Sequence, residues 1–208
     1  GTALAFRPMW IDQLVALTMA KRWEVLAVVT GIISVYLSTR ENIWSWPTAL
    51  VNVALYFVVF YEAKLYADMG LQVVYFALSL YGWYEWLYGG ENRTELHVSR
   101  TPQTLGLRLA IIGIACAAVL GTLLARFTDA ALPYIDSATT STSLVAQWMM
   151  TRKILENWAV WAAVDVVYIA MFVFKRLYLT AGLYAVFLVL AVMGYIQWKR
   201  SLAERSLA

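Results

Sequence analysis

Between residues 157 and 168 the chain reads Asn-Trp-Ala-Val-Trp-Ala-Ala-Val-Asp-Val-Val-Tyr, so an amide, two indoles, a carboxylate and a phenol sit inside an otherwise apolar run. Coiled as a helix at about 100° per residue, Asn157, Trp158, Trp161, Asp165 and Tyr168 fall within roughly one third of the circumference. The other faces of the run carry Ala, Val, Ile, Met and Phe. The run is long enough to cross a bilayer, and an ionisable group at that depth costs a few kcal/mol or more. Such a group normally faces a bundle interior or a wet cavity and marks a pathway. The polar face is therefore expected to wall a binding site for a solute crossing the membrane.

Similar faces recur elsewhere. Trp46, Tyr56 and Phe60 share one, with Asn52 at its edge; Gln72, Tyr75, Ser79, Trp83 and Trp86 share another; Tyr184, Tyr195 and Trp198 share a third. The residues expected to touch a substrate are Trp46, Asn52, Tyr56, Gln72, Tyr75, Trp83, Asn157, Trp161, Asp165, Tyr168 and Tyr184. Trp86 and Trp198, near helix ends, are expected to close the exits. A carboxylate among indoles and phenols suits a flat cationic or electron-poor ring, with about 0.5–2 kcal/mol available from cation–π contact. Asn and Gln add the paired donor and acceptor that an amide or a ribose diol needs. The competing account of these groups is interhelical glue, at about 1 kcal/mol per bond. For Asp165 a second competitor is a proton- or ion-coupling role.

The elements that must hold these residues are membrane helices. The chain has 208 residues, 62% hydrophobic and only 14% charged, against about 25% charged in soluble domains. Its apolar blocks match the length a helix needs to cross about 30 Å of hydrocarbon, and none has the alternating pattern of a membrane β-strand. The net charge of +3 is too small to argue for nucleic acid. The one cysteine, Cys116, lies in an apolar helix, so no disulfide framework and no metal-ligand spacing arises. His97 falls in a polar loop, where it is expected to be solvated. An intramembrane enzyme would need His, Cys, Asp or Glu clustered at catalytic spacing, which this sequence lacks. No cofactor is expected.

Seven spans are expected: about 23–39, 46–61, 70–88, 105–127, 134–151, 154–174 and 181–198. Residues 1–20 hold an apolar run too short to span and are expected to form a separate peripheral segment. The fourth span is purely apolar. The fifth carries Asp136, a Ser/Thr-rich stretch and Gln147, and on hydropathy alone passes for a loop. A shift of 112 residues resolves it. That shift superposes Trp46, Tyr56, Phe60, Leu65, Tyr66, Gly70, Leu71, Val74, Leu78, Gly82 and Trp86 on identical residues from Trp158 to Trp198, without a gap. It also carries the first span onto residues 135–151.

The expected architecture is all-α and integral to the membrane, with two parallel three-helix repeats joined by a linker helix. Its segments are a peripheral stretch 1–20, a first repeat 21–90, a linker loop and helix 91–130, a second repeat 131–199 and a tail 200–208. An odd linker helix makes the repeats parallel, related by an axis along the membrane normal, with substrate held between them near the midplane.

Trp46 to Tyr56, the segment Tyr81-Gly82-Trp83-Tyr84-Glu85-Trp86, and Asn157-Trp158-x-x-Trp161-x-x-x-Asp165-x-x-Tyr168 together resemble the Pnu family of bacterial vitamin transporters. The resemblance covers about residues 20 to 200. It implies a SWEET-like 3+1+3 fold, a homotrimer in the bacterial inner membrane, and uptake of nicotinamide riboside by facilitated diffusion through alternating access. It further implies a functional link to a cytoplasmic riboside kinase. Polar contacts would fall to Asn52, Gln72, Asn157 and Asp165, and stacking or gating to Trp46, Trp161, Tyr168 and Trp83. Sister members carry thiamine or riboflavin, and thiamine is also a cation with an aromatic ring.

Overall fold

The computed structural model describes residues 9–205 apart from 63, 65, 129–131, 175 and 177, with backbone alone for 9–21, 66, 67 and 179. Among these residues it forms seven α-helices: α1 (Met9–Thr39), α2 (Ser45–Glu62), α3 (Tyr66–Tyr88), α4 (Gln103–Phe127), α5 (Pro133–Thr151), α6 (Asn157–Phe174) and α7 (Tyr178–Arg205). The windows Arg22–Thr39, Gln103–Phe127, Asn157–Phe174 and Thr180–Arg205 are long and apolar enough to cross a membrane. Among the described residues no strand forms; Ser99 and Ile154 make an isolated bridge that lays the 94–102 segment over the α5–α6 connection.

Local chemistry explains the helix ends. Pro133 opens α5 and Pro47 lies in the first turn of α2, positions where a missing N–H costs nothing. Of the connecting residues with left-handed backbone, four are Glu41, Lys64, Lys153 and Arg176, at φ of 53°, 58°, 48° and 59°. Each follows a helix end, where one left-handed residue turns the chain and satisfies the last carbonyls. They are two pairs 112 residues apart. The same offset relates both ends of α2 and α6, the starts of α3 and α7, and the ends of α1 and α5.

Contacts run α1–α2–α3–α5–α6–α7 and back to α1, closing six helices into a ring. Helix α4 packs on α5 from outside and is barely covered. Two boundaries differ most from the sequence expectation, beyond shifts of three or four residues at the starts of α3, α6 and α7. Helix α1 starts at Met9 and runs unbroken through Lys21-Arg22, so residues 9–20 continue the first span instead of forming a separate element. Helix α7 likewise continues past residue 200 to Arg205. Neither charged pair carries a residue that stops a helix.

Candidate functional site: a cavity inside the helix ring

The ring encloses a cavity of about 450 Å³ walled by residues of α1, α2, α3, α5, α6 and α7, within the 300–1,000 Å³ typical of small-molecule sites. Aromatic rings dominate the wall. Tyr168 lies 4.7 Å from Tyr184 between ring centres, and Phe172 stacks on Tyr184 at 5.3 Å. Tyr56 stacks on Phe60 and Tyr168 on Phe172, each pair with 21° between planes. Ser143, on α5, shares the wall with Tyr75 and Tyr168, on α3 and α6.

The charge in the wall has one sign. Asp68 and Asp165 line the cavity, and among the described lining residues there is no Lys, Arg or His. Asp165 is only 4% exposed, and among the described residues no cation or hydrogen-bond donor is paired with its carboxylate. An unpaired buried carboxylate is costly, so a ligand that neutralises it gains what the empty protein forgoes.

Nine of the thirteen residues expected from sequence line this cavity: Trp46, Asn52, Tyr56, Gln72, Tyr75, Trp161, Asp165, Tyr168 and Tyr184. The other four lie outside the wall. Asn157, fully buried as the first residue of α6, donates its amide back to the Ile154 carbonyl at 2.6 Å, so it serves the helix start. Trp83 packs against the buried core. Trp86 and Trp198 are 2% and 0% exposed and lie behind Trp46 and Trp158, which form the cavity floor. The structure also brings in Asp68, Ser143, Gln147 and Gly31. The signal for Ser143 and Gln147 was their presence in a spanning segment; Asp68 lies on α3, which begins earlier than hydropathy places it.

The floor is a four-tryptophan cluster. Trp46 meets Trp86 edge-on at 5.3 Å, Trp158 meets Trp198 edge-on at 5.4 Å, and Trp86 lies 5.9 Å from Trp198. A Cβ on Gly82 would collide with the Trp46 ring, and one on Gly194 with Trp158. The two outer indoles reach across: Trp86 Nε1 donates to the Met150 carbonyl at 3.1 Å, and Trp198 Nε1 to the Ser38 carbonyl at 3.0 Å. Positions 38 and 150 are themselves 112 apart. Lys153 closes the same end, pairing with its counterpart Glu41 at 3.2 Å and lying 4.5 Å from the Trp86 ring centre. Burial lowers the pKa of Lys153 and Glu41 opposes that shift.

Apolar helices closed around an aromatic, anionic cavity define a membrane transporter of small solutes. The chain belongs to the nicotinamide mononucleotide transporter family, whose pattern matches residues 21–200. It is 28% identical over 207 residues to the nicotinamide riboside transporter PnuC of Escherichia coli K12, covering 88% of this chain and 87% of that one. It is 30% identical over 195 residues to PnuC of Neisseria mucosa, covering 87% and 73%. The riboflavin/roseoflavin transporter RibM of Streptomyces davaonensis is 26% identical over 181 residues, at 84% and 83% coverage. A crystal structure of the vitamin B3 transporter PnuC superposes with a TM-score of 0.71 at 25% identity, covering 93% of this chain and 87% of that one. These relatives are transporters, and the chain is not an enzyme.

Proposed function

We propose that this protein takes up nicotinamide riboside across the bacterial inner membrane. One observation carries the choice of substrate: Asp165, buried and with no cation beside it among the described residues, faces a cavity lined with aromatic rings. The riboside brings a pyridinium cation that neutralises the carboxylate and stacks on Trp or Tyr. A phosphorylated riboside would bring an anion into a wall holding two carboxylates and no described cation. Riboflavin, the cargo in RibM's name, offers no positive charge to Asp165. Thiamine does, and is the second reading.

All seven helices cross the membrane in this proposal, as two parallel three-helix units of a SWEET-like 3+1+3 fold with α4 as linker. The units rock about the riboside, giving alternating access. Transport is facilitated diffusion with Asp165 as an orienting countercharge, a cytoplasmic riboside kinase makes uptake one-way, and three copies assemble as a homotrimer. The contrast between the tightly packed tryptophan end and the rest of the cavity supports rocking, since the reciprocal bonds at that end must break when it opens.

Calorimetric titration of the purified protein with nicotinamide riboside, thiamine and riboflavin tests the substrate. Saturable binding of the riboside in preference to the other two is expected, and preferential binding of thiamine or riboflavin overturns the assignment. Counterflow of labelled riboside in vesicles, which a channel cannot show, tests the carrier mechanism.

A further inference from the structure

Asn52 lies on α2 and lines the cavity from the side that lacks a buried carboxylate. Its Nδ2 donates to the Ala27 carbonyl on α1. Residue 31, one helical turn further along α1, is glycine, and a Cβ there would sit 3.0 Å from Asn52 Nδ2. The amide nitrogen therefore occupies space that a side chain at position 31 would take. With Nδ2 bonded to α1, Oδ1 is the end left for a ligand; among the described residues it has no hydrogen-bond partner, and Asn52 lines the cavity. An amide turned this way points its nitrogen at α1 and leaves its oxygen as the acceptor for the cavity.

Asn52 Oδ1 and the Asp165 carboxylate are both acceptors, on opposite triplets. We infer that the cavity selects a carboxamide over a carboxylate, with Asn52 as a specificity residue held acceptor-outward by Gly31 and the Ala27 carbonyl. The inference rests on the riboside assignment and deepens it. A substrate whose ring carries –CONH2 supplies N–H donors; the same ring carrying –COO⁻ supplies none and adds a charge that Asp165 repels. A site built to bond a donor discriminates against analogues that lack it, because its own buried group is left unpaired.

The test is calorimetric titration with nicotinamide riboside and nicotinic acid riboside, which differ only at this group, in the wild type and in Gly31→Ala and Asn52→Leu. The wild type is expected to bind the amide at least about tenfold tighter than the acid. Gly31→Ala, by crowding Nδ2 off the Ala27 carbonyl, frees the amide to turn and present a donor, so the amide-to-acid ratio falls several-fold. Asn52→Leu lowers the ratio too, while Asp165 preserves part of it. A merely structural role for Asn52 would weaken both ligands alike and leave the ratio unchanged, which overturns the inference. Equal wild-type affinity for the two ribosides also overturns it and leaves the riboside assignment standing. Binding of neither riboside sinks the assignment itself. Should Gly31→Ala fail to fold, Asn52→Leu decides.

Discussion

Helices α1–α3 and α5–α7 are alike where they pack and differ at the polar positions that face the cavity. At the packed end the counterparts keep their chemistry: Trp46 and Trp158, Trp86 and Trp198, Gly82 and Gly194, Thr39 and Thr151. Thr39 and Thr151 even make the same bond back to the carbonyl three residues earlier, at 2.7 and 2.6 Å. In the cavity wall Tyr56 and Tyr168 still match, but other counterparts diverge. Asn52 faces the position of Val164, Val53 that of Asp165, Gln72 that of Tyr184, Ala49 that of Trp161, and Gly31 that of Ser143. Close packing admits few alternatives, since a ring seated on a glycine tolerates little change on either side. An asymmetric ligand imposes the opposite demand, because a symmetric wall cannot hold a charged ring in one orientation.

The first test bears on the shared part, through the stability of the whole fold. Gly82→Leu and Gly194→Leu each push a side chain into a tryptophan ring, and overpacking of that kind costs about 1–3 kcal/mol or more. Both variants should lose thermal stability in detergent by similar amounts. A triplet that tolerates the change while the other fails would show that their packing is not equivalent.

Next comes the part that differs. Asp165→Asn should weaken riboside binding about thirtyfold or more, as loss of a desolvated charge partner costs about 2–5 kcal/mol. The same variant should raise the melting temperature of the ligand-free protein, because it removes a buried unpaired charge. Calorimetry and a melting curve read the two effects separately. Trp161→Ala should cost roughly 0.5–2 kcal/mol of binding through lost cation–π contact, while Cys116→Ala, on exposed α4, leaves affinity unchanged.

Smaller still is the effect of Trp86→Phe and Trp198→Phe, each of which removes one indole-to-carbonyl bond worth about 0.5–1.5 kcal/mol. Equal shifts in melting temperature are expected. The least effect belongs to Lys153. Its folded pKa lies below the usual 10.5, so between the two values the unfolded chain holds the extra proton and stability at this group rises with pH. Comparing wild type with Lys153→Met from neutral pH towards 10.5 isolates that slope.

Much of this organisation is legible in the residues. The 112-residue offset, carried by matched tryptophans, tyrosines and glycines, is strong enough to rescue α5, whose Ser/Thr content hides it from hydropathy. Helix periodicity places Asp165, Trp161 and Tyr168 on one face, and the structure turns that face into the ring. What periodicity misses is what a polar side chain does at a helix end. Asn157 shares the Asp165 face on a wheel, yet at the first position of α6 its amide folds back on Ile154. Trp86 and Trp198 look like gates because they are aromatic and near helix ends, whereas partners more than 60 residues away in sequence, the Met150 and Ser38 carbonyls, hold them. Those contacts depend on tertiary pairing, which no local window contains.

A structure determined with nicotinamide riboside bound tests the central claim most directly. The account predicts the pyridinium inside the helix ring, within about 6 Å of an aromatic ring centre, with Asp165 as its countercharge. A riboside lodged outside the ring, or an Asp165 carboxylate turned towards lipid, would contradict it.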